Sequence, residues 1–393
     1  MSWVRLGVPS HRAPMISNQL FGRMPGKRMR DVRACLQAYS LALELFDKYV
    51  TLPSAPNAHY RPDVVYTGLM QLSMNGGYAE STMDGLALRY GLDSPCGGAF
   101  LYRLKKLDRA DWDSRLREVN DAVLSVASRL GLLDRPVACA IDYTRVPYYG
   151  EFNRYVVRSK HERGTDRFYE YATISVVQDG VRLCVYSRPV TLLDVKADVV
   201  KELVDEARKR GVRVKLLLLD RAFFTTECLN LLEGMGVDFI TPCVCNERVQ
   251  GAVDSLGREG SLRFSIHDND SKRVAPFTMV VCWSEKKGKL IPFATNVEGN
   301  PRRLVGTIPR EYRRRWGIET SFRKVKEVYG MTLSPSPAIR LAYFMVAMVL
   351  YNLWQAVNMT LAAGSERRRR KDGYRVTMPF MVTVLCAHLN GRL

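Results

Sequence analysis

The chain runs to 393 residues, enough for two or three domains and a real core, with the 47% hydrophobic and 25% charged residues of a soluble globular protein. Its formal net charge of +19 points to a polyanionic partner, nucleic acid before an anionic membrane surface. Nine scattered cysteines, several in apolar runs (Cys139, Cys184, Cys386), argue against a disulfide framework and for reduced thiols in a cytosolic compartment. Cys243 and Cys245 form a lone C-x-C, and His267 is too isolated to complete a zinc site with them.

Residues 1–30 carry six Arg and Lys and no acid, and read as a basic arm with no secretory signal. Residues 31–134 read as helical. Periodicity predicts helices over 31–50, 81–90, 100–107 and roughly 112–130. The second is broken by Gly91, and the third carries Arg103, Lys105 and Lys106. This pair is a candidate helix-turn-helix for DNA, with a plain helical packing module as the alternative.

At Pro136 the texture changes. PVACAIDYTRVPYY is an apolar run interrupted by Asp142. Two strand-like runs then meet at Asp179-Gly180, a hairpin signal. A helix over 195–210, a strand ending in Asp220, a helix over 225–234 and the strand VDFITPCV follow. A β-meander that continues through helical crossovers is the ribonuclease H-like order, an α/β mixed sheet with flanking helices. Residues 135–245 are thus expected to be the first part of this core. Residues 246–305 read as a β-rich insertion with a hairpin turn at Lys287-Gly288, 306–364 as the second part of the core, and 365–393 as a basic C-terminal region. The uncharged run 341–365, followed by the basic residues 367–371, resembles a membrane span. Asn352, Gln355 and Asn358 recur on one side of it, with Tyr351 and Trp354 mid-run, which a buried core helix explains better.

Pro309 to Gly330 reads as one helix, capped by Thr307, with Pro309 in its first turn and Gly330 at its end. Tyr312, Arg315, Glu319 and Lys326 then share an arc of roughly 60°. Asp142 and Asp220 each follow an apolar strand run. In the expected fold those strands are parallel neighbours, so both carboxylates reach one edge of the sheet, and Glu319 joins them from the helix. Three such acids suit Mg²⁺ and can hold two ions about 3.5–4 Å apart, one activating the attacking oxygen and one stabilising the leaving oxygen. Asp194, Asp198 and Asp205 read as surface positions of the preceding helix.

Tyr312-x₂-Arg315-x₃-Glu319-x₆-Lys326 matches without a gap the YREK signature of prokaryotic insertion-sequence transposases of the DDE class. The AIDYT, LDRAFF and RRRWGIETSFRKVK stretches resemble that family's three acidic motifs in order, over residues 136–330. The resemblance implies a cut-and-paste DNA transposase that cleaves transposon ends and transfers the strand into target DNA. Its partners would be double-stranded DNA, as inverted-repeat ends and target, and a second copy of the chain in a synaptic homodimer, in the cytoplasm with the nucleoid. Asp142, Asp220 and Glu319 would be the metal triad for two Mg²⁺, with Mn²⁺ able to substitute. Tyr312, Arg315 and Lys326 would contact the DNA backbone, with Arg323 on nearly the same face. Trp283, in the insertion, is the candidate to stack a flipped base in a hairpin route, with a β-core tryptophan as the alternative. The rival readings are a structure-selective nuclease of the same fold without strand transfer, a catalytically retired DNA-binding protein, and a membrane-attached basic protein resting on 341–365.

Overall fold

The computed structural model describes residues 26–268, 272–363 and 375–389. Most of the expected N-terminal arm, and residues 364–374 and 390–393 of the C-terminal region, lie outside them. The chain divides into two compact units: Leu133–Thr320, and Met1–Leu132 together with Ser321–Leu393.

The first unit is built on one nine-stranded mixed sheet. Strands β1 (Val137–Pro147), β2 (Val157–Glu162), β3 (Thr165–Gln178) and β4 (Val181–Val190) come first. The β3–β4 hairpin turns at Asp179-Gly180, where Gly180 has φ 77°, a value a side chain would disfavour. A helix at Lys196–Lys209 leads to β5 (Val214–Leu218), and one at Thr226–Gly234 to β6 (Asp238–Pro242). β1 pairs antiparallel with β3 and parallel with β5, and β5 pairs parallel with β6. With β4 on the other side of β3, the order β4-β3-β1-β5-β6 is the expected ribonuclease H-like one.

The segment 246–305 does not form a sheet of its own. Strands β7 (Gly260–His267), β8 (Val274–Ser284) and β9 (Lys289–Thr295) form a meander, and β9 pairs antiparallel with β6 through Ile240–Thr295 and Pro242–Phe293. The central sheet therefore continues through the inserted strands, which cover the edge that β6 would otherwise expose. The segment also holds a helix, Glu247–Leu256, that the β texture did not predict. Asn246 caps it by accepting the Val249 N–H at 2.9 Å.

The second unit is helical. It contains Gly26–Tyr49, Pro62–Asn75, Ala79–Tyr90, Gly97–Leu104, Arg109–Arg129, Pro337–Ala363 and Met378–Leu389. Asp108 and Asp111 form a reciprocal capping box at the start of Arg109–Arg129. The candidate DNA-reading pair is present as two helices, and Gly91 (φ 62°) ends the first. Arg103 does not share an open face with Lys105 and Lys106; it turns inward to donate to the Tyr60 carbonyl at 3.1 Å.

Pro337–Ala363 is buried without a break from Ile339 to Leu361. Three of its amide side chains are paired: the Asn352 amide donates to the Asn120 side chain at 2.7 Å, Gln355 to the Tyr351 hydroxyl at 2.9 Å, and Asn358 to the Val376 carbonyl at 3.0 Å. It is long and apolar enough to cross a membrane, yet it forms the core of this unit.

Candidate active site: three carboxylates and one guanidinium

The last matched residues of the parallel pair β1–β5 are Ala140 and Leu218. Asp142 and Asp220 each lie two residues further on, so the period of two brings both to the same edge of the sheet. Directly after the acids, the Tyr143 and Phe223 rings meet edge to face with centroids 5.2 Å apart. This contact ties the two acidic segments together. Neither aromatic was singled out from the sequence, although each follows an acid within three residues. The local backbone fixes one oxygen of each carboxylate. Asp142 Oδ1 accepts the Tyr143 N–H at 2.8 Å, and Asp220 Oδ1 accepts the Ala222 N–H at 2.8 Å, capping the tight turn Arg221–Phe223.

The segment that carries Glu319 differs from the single helix expected over 309–330. A helix begins earlier, at Pro301, and runs to Tyr312; its cap is Asn300, which accepts the Arg303 N–H at 2.9 Å, and not Thr307. Pro309 lies inside it. Arg313–Arg315 is a 3₁₀ turn, and a new helix covers Trp316–Glu327. The tighter turn brings residues three apart into register. The Arg315 guanidinium therefore lies over the Tyr312 ring, 5.8 Å from its centroid. Tyr312 packs in turn on Phe293 of β9. Burial, opposed by Arg315, pushes the Tyr312 hydroxyl up to about 12, so it stays protonated and able to donate.

Arg315 is the centre of the cluster. Its Nη1 donates to Asp142 Oδ2 at 3.2 Å, and its Nη2 is paired with Glu319 Oε1. Burial works against its charge, but Tyr312, Asp142, Glu319 and Asp220 together outweigh that, and its pKa is raised. Asp142 shows the opposite imbalance. Burial first, then the like charges of Asp220 and Glu319, raise its carboxyl to about 6 against the pull of Arg315 and the Tyr143 N–H. Three acids from distant parts of the chain thus share one electrostatic neighbourhood.

Gly317 leaves little room for a side chain, since a Cβ would lie 3.1 Å from Val177, which would have to give by a few tenths of an ångström. It lets the start of the Trp316–Glu327 helix approach β3 closely. Arg323 and Lys326 follow on that helix past Ser321, in the helical unit, and both are exposed. Gly330 is not a left-handed helix end. It is a close-packing position, where a Cβ would fall 1.8 Å from Leu72 Cδ2. Trp283 is 53% exposed on β8, which overturns the β-core alternative for it. Asp194 is not a helix-surface acid: it is ion-paired with Arg188 and accepts the Thr191 N–H at 2.7 Å.

The sequence pattern described as Transposase DDE domain matches residues 136–353, more than half of the chain. The chain belongs to the DDE transposase family. No curated protein matches it. The cryo-EM structure of a piggyBac transposase synaptic complex with hairpin DNA is similar in fold, with a TM-score of 0.57 and 13% identity over 91% of this chain and 80% of that one.

DDE transposases use divalent metal ions, and the donor set here is of the right kind: three hard carboxylates with a surplus of negative charge. The second oxygens of Asp220 and Glu319 make no protein hydrogen bond among the described residues. Also among those residues, no three acidic, His or Cys side chains are already grouped as ligands of one ion. Two of the three carboxylates are instead held by Arg315.

Proposed function

We propose that this chain is a cut-and-paste DNA transposase of the prokaryotic insertion-sequence type with the YREK signature, cleaving transposon ends and joining them to target DNA. The observation that carries this reading is the shared neighbourhood of Asp142, Asp220 and Glu319, acids of three separate segments in the family's order, around one half-buried guanidinium. The three carboxylates would hold divalent ions, Mg²⁺ or in its place Mn²⁺. Bound there, such ions supply positive charge to a phosphate under attack and to its leaving oxygen. The protein's part is to aim the ligands. The Tyr143 and Ala222 amides orient the two aspartates, and the Tyr143–Phe223 contact holds their segments in register.

Tyr312 and Arg315 would meet the DNA backbone beside the carboxylates, Arg315 through a bidentate phosphate contact. Arg323 and Lys326 would hold DNA phosphates, and exposed Trp283 would stack an extruded base. Excision requires two ends, which supports a homodimer acting on paired inverted repeats. The likeness to a synaptic complex with hairpin DNA is in keeping with that.

The test is end cleavage of inverted-repeat duplexes in Mg²⁺ by Asp142→Asn, Asp220→Asn and Glu319→Gln. Loss of several kcal/mol of charge stabilisation should slow each by about a thousandfold or more. Near-normal cleavage by any one would remove it from the site. Supplying pre-cleaved ends separates a transposase from a structure-selective nuclease, because only the former gives joined product.

A further inference from the structure

We propose that Arg315 is a positioning residue that takes the place of a cation before any metal binds: its guanidinium holds Asp142 and Glu319 together and must give up its hold on Asp142 when a divalent ion enters. This rests on reading Asp142, Asp220 and Glu319 as metal ligands.

The hydrogen bonds decide it. Asp142 Oδ1 is committed to the Tyr143 N–H, so the oxygen it can offer a ligand is Oδ2, and that oxygen is the one Arg315 Nη1 holds at 3.2 Å. Glu319 Oε1 is held by Nη2 of the same guanidinium. A metal drawn to Asp142 therefore competes with Arg315 for Oδ2, while Glu319 still offers Oε2, which makes no protein hydrogen bond among the described residues. The competition takes place out of bulk solvent, where the Arg315 and Asp142 side chains are only 14% and 18% exposed, so solvent screens it little. The position of the guanidinium is also set by the fold. The 3₁₀ turn at Arg313–Arg315 places it over the Tyr312 ring, and Tyr312 is packed on Phe293.

Only a planar fork bridges two carboxylates in this way. A lysine ammonium carries the same charge but is a point on a flexible stem. The guanidinium freed by a metal becomes available to a DNA phosphate. Metal and backbone binding then reinforce each other, since each draws away what the other must displace.

The experiment is a Mn²⁺ titration of the full-length protein without DNA, with free Mn²⁺ read by electron paramagnetic resonance, for wild type, Arg315→Lys and Arg315→Gln. Both variants are expected to bind Mn²⁺ on the order of tenfold more tightly than wild type, the equivalent of one charge-assisted hydrogen bond. Both should also melt below wild type when metal-free. If Arg315→Lys binds like wild type while Arg315→Gln tightens, Arg315 acts only as a nearby positive charge and the bridge is overturned. Equal affinity in all three overturns it as well. Should Arg315→Gln fail to fold, Arg315→Lys alone decides. Absence of Mn²⁺ binding in all three would overturn the metal-ligand reading itself, and this inference with it.

Discussion

Asn352 and Asp142 each interrupt an apolar run, one on a buried helix of the helical unit and one on β1, and they are satisfied in opposite ways. Asn352 is neutral and meets its match in Asn120 at 2.7 Å. Gln355 and Asn358 nearby are likewise paired with neutral groups. Asp142 is a half-buried carboxylate with two like charges for neighbours and one cation to share with Glu319. These three amides are matched donor to acceptor, whereas Asp142 is left with like charges beside it, as suits the acid proposed here for chemistry. The difference separates the two acidic strand ends from the many other polar residues in apolar surroundings, which composition alone cannot do.

Substitutions can break this contrast. The largest stability effect should come from Asn352→Leu, which takes the Asn352 donor away from buried Asn120 Oδ1 and is expected to cost about 2–3 kcal/mol in denaturant unfolding. Pairing it with Asn120→Leu should recover part of the loss, as neither half of this hydrogen bond then remains. If the double variant is no better than the single, the pair is not the matched structural contact described.

Asp142→Asn should act in the other direction. The folded carboxyl keeps its proton up to about pH 6, whereas the unfolded one loses it near 3.8. Between those values the folded state binds more protons, so rising pH costs the metal-free protein stability. The amide removes that cost, and the variant should be more stable than wild type by up to about 3 kcal/mol at pH 7.5 and by almost nothing at pH 4. Unfolding curves at the two pH values check this; a difference that does not change with pH would contradict it. The same variant should be inactive, so the stabilised protein is the useless one.

Smaller effects test the packing and the DNA contacts. Gly330→Ala forces Leu72 to move within the helical core and should cost about 1–3 kcal/mol, read by thermal melting. Lys326→Ala should flatten the logarithmic salt dependence of DNA binding by about 0.9, the loss of one phosphate contact. An unchanged slope would count against that contact.

Much of this was legible in the sequence. The apolar runs ending in Asp142 and Asp220, the turn at Asp179-Gly180 and the spacing around Glu319 are local signals, and the strand order follows from few rules. What was hidden is mostly nonlocal. Arg315 meets Asp142 across 173 residues, and that contact depends on the β1–β5 pairing and on the 3₁₀ turn that the helical spacing concealed. The pairing of β9 with β6 is likewise a choice of partner, which alternation within a strand does not encode. The start of the Glu319 segment was a contest of local signals. Thr307 followed by Pro309 reads as a helix start, but Asn300 ahead of Pro301 caps the helix instead, and Pro309 is accommodated inside it.

The central claim is that Asp142, Asp220 and Glu319 act together on a divalent ion. It is tested most directly by loading the metal-free protein with Fe²⁺, adding ascorbate and peroxide, and mapping where the locally formed radicals cut the chain. The account predicts cuts clustered near Asp142, Asp220 and Glu319 that excess Mg²⁺ suppresses. Cuts confined to other segments, or cuts at only one of the three, would contradict it.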